Sequence, residues 1–120
     1  MKFITEEPIA ANKPLSLTSH KIILMQTYEM IISRTHAITI LKNLSLQCAI
    51  LLEDVQSFRH YFIIPHYEAG TLAFMAAQYD IQVRKISIDA IKYKCRDFNS
   101  CFIAGSEHLL AYFSKYLLLQ

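Results

Sequence analysis

Length, composition and charge limit what this chain can be. It has 120 residues, of which 53% are hydrophobic and 18% charged, with two glycines, three prolines and a formal net charge of +2. A chain of this size buries about two-thirds of its unfolded surface, which provides one core and one domain rather than several. Charged residues fall below the roughly 25% of an ordinary soluble domain, so we expect some apolar surface to face a partner or a second copy of the chain.

Residues 1–15 are expected to form a flexible arm, because Pro8 and Pro14 keep the residues before them out of the helical conformation. The arm has neither the basic region nor the apolar region of a signal peptide. No stretch of the sequence approaches the roughly 18 apolar residues of a membrane-spanning helix. The expected location is therefore the cytoplasm, with no membrane partner. The three cysteines, Cys48, Cys95 and Cys101, are then free thiols and not a disulfide scaffold.

Residues 20–66 support two interpretations. The segments 21–33 and 36–40 are rich in β-branched residues at alternating positions, which favours strands, with breaks near 34–35, 42–43 and 53–54. The absence of glycine between Leu15 and Ile64 favours helices instead, because tight hairpin turns need positive φ. We prefer strands. The helical alternative rests on a stripe formed by Ile40, Leu41, Leu44, Cys48, Leu51, Leu52 and Val55.

Residues 70–119 are predicted to form three helices. Thr71 is a suitable N-cap for the first helix, which places Leu72, Met75, Ala76 and Tyr79 on one side. The second helix covers about 83–94, and the third comes after residues 105–106. The sequence therefore predicts a single α+β domain, with a strand-rich half at 20–66 followed by a three-helix half at 70–119. An all-α fold is the alternative.

A helix-turn-helix is predicted at about 72–95. Such a unit needs a small residue where its helices cross, a turn residue that tolerates positive φ, and apolar residues that hold the second helix down. Ala76 is the small residue and Asp80 takes the turn, since Asp is enriched in the left-handed region. Ile81 and Ile86 would pack the second helix against the first.

The segment 81–96 is also basic, with five basic side chains and one acidic one, whereas the rest of the chain has seven basic and nine acidic. Basic groups that contact phosphates give an affinity for DNA that falls steeply with salt. Polar side chains at the start of a recognition helix can reach base edges. The residues predicted to contact the groove are Gln82, Arg84, Lys85 and Ser87, and those predicted to contact phosphates are Lys92, Lys94 and Arg96.

These segments resemble a known family. TLAFMAAQYDIQVRKIS, at 71–87, resembles the first helix-turn-helix of AraC-type transcription regulators. RDFNSCFIAGSEHLLAYFSKYLL, at 96–118, is similar to the Phe-containing segment and linker helix that come after it there. SLQCAILLEDVQSFRHYFIIP, at 45–65, is similar to the strand-turn-strand region of the N-terminal domains of enteric AraC-type virulence and adhesion regulators. The resemblance implies a transcription regulator that binds double-stranded DNA.

The chain departs from that family pattern at three positions. Asp80 replaces the usual turn glycine, Gln82 stands where a capping Ser or Thr is common, and Asp89 falls where an apolar residue normally lies. AraC-type DNA-binding domains contain two helix-turn-helix units, and this chain has room for one. We therefore expect a homodimer, formed through the C-terminal helix at 107–119, to supply the second DNA contact.

Catalysis and cofactor binding find little support. Gly70 and Gly105 stand alone, so there is no phosphate-binding loop, and there is no G-x-S-x-G motif. Asp54, Ser57 and His60 lie close in sequence, but a catalytic triad is defined by geometry. The spacing of Cys95, Cys101 and His108 matches no paired metal ligands. We expect neither an enzyme nor a cofactor or metal site.

The alternative function is that of a small protein-interaction module, such as a secretion chaperone, an antitoxin or an immunity-type inhibitor. Fourteen aromatic residues, seven Tyr and seven Phe, are of the type enriched in interface cores. Such a module would act through an apolar helical surface on a protein partner. Affinity for DNA that falls with salt would distinguish the regulator from the module.

Overall fold

The fold of the chain is given by a computed structural model, which describes residues 3–7, 25–44, 49–54, 56–87, 90 and 100–105. It combines an antiparallel sheet with two α-helices. The helices are α1 (Arg34–Asn43) and α2 (Ala69–Gln78), and a short 3₁₀ helix (His66–Glu68) leads into α2. The strands are β1 (Phe3–Glu7), β2 (Met25–Ile31), β3 (Ala49–Asp54), β4 (Arg59–Pro65), β5 (Arg84–Ile86) and β6 (Ser100–Gly105).

The described strands form one sheet in the order β1-β6-β3-β4-β2-β5, and every neighbouring pair is antiparallel. β3 and β4 are joined by a tight turn in which Phe58 has a φ of 56°. The turn is tied to the segment before α1, because the Ile32 amide donates to the Phe58 carbonyl at 3.1 Å. β5 is the outermost of the described strands next to β2, so its other edge is unpaired among the described residues.

One face of the sheet carries the main core, and both helices pack on it. Phe62 of β4 lies opposite Leu51 of β3 and Tyr28 of β2, so these three side chains point to the same face. Ile40 of α1 and Leu72 of α2 belong to the same buried cluster. The buried cluster is Met30, Ile32, Ala37, Ile40, Leu41, Leu44, Leu51, Phe62, Ile64, Leu72, Ala76 and Phe102.

The opposite face of the central strands is buried as well. Thr27, Leu52, Tyr61 and Ile63 point to this second face and are each at most 2% exposed. Strands that are buried on both faces have continuous apolar runs and not a strict alternation. This explains the sequence HYFIIP in β4, in which every residue is buried.

Helix α1 begins at a capped end. The Ser33 side chain accepts a hydrogen bond from the His36 amide at 3.2 Å, which satisfies one of the free amides of the first turn. Its apolar side chains recur at helical spacing, so that Ala37, Ile40 and Leu41 are buried while Lys42 and Asn43 are exposed.

Helix α2 ends in a Schellman motif, in which the residue after the helix adopts a left-handed conformation. Asp80 has a φ of 55°. The Ile81 amide donates to the Ala76 carbonyl at 2.9 Å, and the Asp80 amide donates to the Ala77 carbonyl at 3.1 Å. The positive φ at the Asp80 turn agrees with the sequence prediction.

The predicted arrangement of strand-rich and three-helix halves is wrong, and so is the all-α alternative. Arg84–Ile86, predicted as part of a helix at 83–94, is strand β5, paired antiparallel with β2. Ser100–Gly105 forms strand β6 within the predicted helical half. In the other half, Arg34–Asn43 forms a helix where the sequence favours strands. Sheet pairing therefore overrides the local helical pattern at 84–86, and the third predicted helix lies outside the described residues.

Phe3–Glu7, within the segment 1–15 that is predicted as an arm, pairs with β6 as strand β1. One smaller prediction is wrong. Thr71 does not cap α2, because the helix begins two residues earlier at Ala69, directly after the 3₁₀ helix. A helix that continues from a preceding helical turn needs no side-chain cap at that position.

Candidate functional site

The structure places the predicted DNA-contacting residues on a strand and its flanking loops, not on a helix. Arg84 and Lys85 lie in β5 and are exposed. Gln82, before the strand, and Ser87, after it, are exposed as well. The helix-turn-helix predicted at 72–95 therefore does not form over its described part, because a strand takes the place of its second helix. Lys92, Lys94 and Arg96 lie outside the described residues.

The two basic side chains of β5 point to opposite faces of the sheet, as successive strand residues do. Arg84 lies opposite Glu29 and Lys85 lies opposite Tyr28. The Arg84 guanidinium is 3.8 Å from the Glu29 carboxylate, which also accepts a hydrogen bond from Arg59 at 3.2 Å. Part of the positive charge of Arg84 and Arg59 is thus compensated within the chain.

Glu29 also acts on a buried tyrosine. Tyr61 lies directly opposite Glu29 in β4 and is 2% exposed. Burial raises the pKa of the Tyr61 phenol, and the charge and hydrogen bonding of Glu29 raise it further. The phenol is therefore held in its neutral form as a hydrogen-bond donor.

A buried acid-base pair lies beneath the first turn of α1. Glu53 and His60 are cross-strand neighbours, and the Nε2 of His60 is 2.9 Å from the Oε2 of Glu53. Both side chains are 2% exposed. Arg34, at the start of α1, makes further contacts. Its Nε is 3.6 Å from the other carboxylate oxygen of Glu53. The Arg34 guanidinium also lies over the Phe102 ring, 5.2 Å from the ring centre.

The buried Glu53–His60 pair is not accessible to a substrate. A general acid or base must come within hydrogen-bond distance of a substrate, and 2% exposure of both side chains leaves no room for one. Asp54, Ser57 and His60 form no triad: the Ser57 hydroxyl donates to Asp54 at 2.8 Å, while His60 contacts Glu53. What the arrangement does is tie β3, β4 and α1 together.

Within the part of the chain that the structure describes, the most unusual surface lies on α2. Tyr67, Gly70, Thr71, Phe74 and Gln78 recur at helical spacing on the solvent side of the 3₁₀ helix and α2, and all five are exposed. We call this surface the α2 outer face. Phe74 is 66% exposed and Tyr67 is 56% exposed. Apart from its chain neighbours and the backbone of its own helix, a Cβ atom added at Gly70 would meet no atom within 4 Å, so the surface is open at this position.

A groove adjoins this face where α1 and α2 meet. Its volume is about 290 Å³. The His36 ring of α1 stacks on the Tyr79 ring just after α2, with the ring centres 5.0 Å apart. We call it the α1–α2 groove, and its lining residues are Thr39, Ile40, Asn43, Met75, Gln78 and Tyr79.

The described residues offer no metal site, since none of their His, Cys, Asp and Glu side chains form a group of three or more that could hold an ion. Cys95 and His108, considered with Cys101 as ligands, lie outside the described residues. Within the same ranges, no helix has both the length and the apolar character needed to cross a membrane.

Comparisons with models of known protein families, with curated proteins and with solved structures found no significant match. The resemblance to AraC-type regulators therefore has neither support nor contradiction from known proteins, and the surfaces of the chain itself carry the functional argument.

Sequence reasoning does not find the residues that the structure brings together. It leaves Glu53 and His60 unpaired, although seven positions apart across a short turn is a spacing that allows cross-strand contact. The signal for the α2 outer face is present as an uncharged stretch from Ala69 to Tyr79. That stretch also fits the first helix of a helix-turn-helix, so the sequence alone does not single it out as a contact surface.

Proposed function

We propose that this chain is a protein-interaction module that binds its partner through the α2 outer face. The observation that carries the proposal is that α2 is a surface helix without charges on its solvent side. From Ala69 to Tyr79 the sequence contains no charged side chain. A surface helix ordinarily has charged and polar residues opposite its buried stripe.

Helix α1 of the same chain provides the comparison. It has a buried stripe of similar size, yet its solvent side presents Arg34, His36 and Lys42. Since both helices pack on the same face of one sheet, a general preference of this fold for apolar surface does not explain the difference. Exposed apolar patches with aromatic residues are characteristic of protein-protein contact sites.

The exposed aromatic rings are the expected anchors of the contact. Phe74 and Tyr67 would lose most of their exposed area on binding, and buried aromatic anchors contribute most to interface affinity. Gly70 and Thr71 lie between them and allow the partner to approach the helix closely. The cytoplasmic location expected from the sequence belongs to the same proposal.

Site-specific photo-crosslinking in cells tests the proposal. A photoreactive phenylalanine analogue placed at Phe74 should give a discrete protein adduct. The matched control is Phe58, which is 63% exposed against 66% for Phe74 but lies in the turn between β3 and β4. Adducts at position 74 and none at position 58 are expected. No adduct at position 74, or equal adducts at both, would overturn the proposal.

DNA binding is the second candidate, because Arg84 and Lys85 are exposed on a strand at an edge of the described sheet. Strands can also enter DNA grooves. In a salt-titrated mobility shift with duplex DNA, Arg84→Ala with Lys85→Ala should weaken binding, whereas Lys42→Ala on α1 should not. The absence of any shift at low salt, or a shift unchanged by both sets of substitutions, would exclude this use of β5.

A further inference from the structure

The α2 outer face and the α1–α2 groove are two parts of one surface that complement each other. Phe74 is an aromatic side chain that projects from α2 and is 66% exposed. The groove begins at the next residues of the same helix, Met75 and Gln78. The exposed Phe74 ring and the α1–α2 groove are therefore adjacent on one surface.

The groove is large enough for a phenyl side chain. An enclosed apolar cavity on the order of 150 Å³ holds a benzene molecule. The groove has about 290 Å³, is open to solvent, and is lined by the polar residues Thr39, Asn43 and Gln78 as well as by apolar ones. Its walls include the Met75 side chain and the Tyr79 ring, both of which make favourable contacts with aromatic groups.

The absence of charge on this surface suits a second copy of the chain as the partner. In a two-fold symmetric contact each residue near the axis meets its own copy, so a charge there would meet a like charge. The segment Ala69–Tyr79 contains no charged side chain, and the formal net charge of the whole chain is only +2. The residues that line the groove are uncharged as well, so the α2 outer face and the groove can meet a second copy without placing like charges together.

We propose that the partner of the α2 outer face is a second copy of this chain, and that in a two-fold dimer the Phe74 ring of each copy enters the α1–α2 groove of the other. The dimer rests on the proposed function and specifies its partner. It differs from the dimer through the C-terminal helix expected from the sequence. A second copy is favoured over an unrelated protein because both halves of the contact occur on one surface.

The test is sedimentation equilibrium of the purified full chain at concentrations up to about 100 μM, where a dimer with a micromolar Kd would be almost fully formed. Phe74→Ala removes the ring, and Asn43→Trp fills the groove from the exposed end of α1. Each should raise the dimer Kd at least tenfold. Phe58→Ala, which removes an equally exposed ring elsewhere, should leave the Kd unchanged.

A mixture of the two variants tests the geometry itself. The Asn43→Trp chain keeps its ring and the Phe74→Ala chain keeps its open groove, so one of the two ring-in-groove contacts can form between them. The mixture should therefore contain heterodimers that are tighter than either variant's own dimer. Circular dichroism of each variant checks that its fold is intact, and Gln78→Trp serves as a second groove-filling variant.

A monomeric wild-type chain, or a dimer unaffected by Phe74→Ala, would overturn the proposal. These results leave the proposed function separately testable. If the chain is monomeric while the crosslinker at Phe74 captures a different protein, the interaction module stands and only the self-association falls. If neither occurs, both fall.

Discussion

Glu53 and His60 show how one pair of side chains can hold several elements together. Their contact joins β3 to β4, and the guanidinium of Arg34 adds the first turn of α1. Among the described residues, two buried atoms of the pair have no hydrogen-bond partner, Nδ1 of His60 and Oε1 of Glu53. Unsatisfied buried polar atoms cost free energy, so the attraction between the two side chains is offset by the loss of their hydrogen bonds to water.

Removing both partners of this pair should therefore cost less than the sum of the costs of removing each one alone. We expect His60→Leu to lower the free energy of unfolding by about 3 kcal/mol, the lower end of the range for breaking a buried pair, because Arg34 still faces Glu53. The double variant Glu53→Leu with His60→Leu should lose less than the sum of the single variants. Urea unfolding of all three variants measures this, and strictly additive losses would contradict it.

Tyr61 should make stability depend on alkaline pH. Burial and the neighbouring Glu29 raise its pKa in the folded state, so its contribution is complete below the unfolded value near 10 and is lost as the pH rises through the folded pKa. Tyr61→Phe lacks the phenol and should show a shallower loss of stability above about pH 10. Urea midpoints measured from neutral to alkaline pH test this, and parallel curves would contradict it.

At the scale of elements, the sequence predicts where α2 ends but not which kind of element comes next. Asp80 is predicted to take a left-handed turn, and it does so. A Schellman motif ends a helix in the same way whether the next element is a helix or a strand. The deciding signal is in Ile81, Gln82, Val83 and Arg84, which alternate between partly buried and exposed as strand residues do. Three alternations are too few to outweigh the pattern that predicts a helix at 83–94.

Helix α1 illustrates the opposite error. Ile38 and Ile40 alternate with Ala37 and Thr39, and their β-branched side chains favour a strand. The Ser33 cap and the buried stripe at Ala37, Ile40 and Leu41 instead give a helix that covers the sheet. Packing on the sheet decides between two local patterns that the sequence supports almost equally.

The turn at Asp80 gives a prediction for α2. Asp80→Gly should change stability by less than about 1 kcal/mol, because relief of the left-handed conformation is offset by the greater freedom of glycine in the unfolded chain. Asp80→Val should destabilise by about 1–2 kcal/mol, since a β-branched residue suits that conformation poorly. Gln82→Val, at an exposed position without positive φ, is the control. Equal thermal shifts for both valine variants would contradict the motif.

At the scale of the whole molecule, the apolar sequence of β3 and β4 corresponds to strands buried on both faces. Their apolar character could be predicted, but their neighbours could not, because β6 lies between β3 and β1 although it is distant in sequence. Such long-range pairing leaves no local pattern to detect. The candidate surface shares this difficulty: Phe74 is visible in the sequence, whereas the groove beside it exists only because α1 packs against α2.

The basic residues of β5 also have a role that concerns the sheet as a whole. A strand at the edge of a sheet presents free backbone groups to other chains, and exposed lysines at such edges oppose intermolecular pairing. Lys85 is exposed on β5, which is unpaired on one side among the described residues. This role requires no nucleic acid, and it accounts for positive charge at 84–85 on structural grounds.

Lys85→Val should therefore promote aggregation through the edge of β5. The substitution leaves a strand with higher β-propensity and one charge fewer, so we expect light scattering to begin at a several-fold lower protein concentration than in the wild type. Lys42→Val on α1 removes the same charge from an exposed helix position and is the matched control. If both variants aggregate equally, loss of net charge is the cause. If neither aggregates, Lys85 does not protect the edge, and its exposure on β5 then counts in favour of a ligand such as DNA.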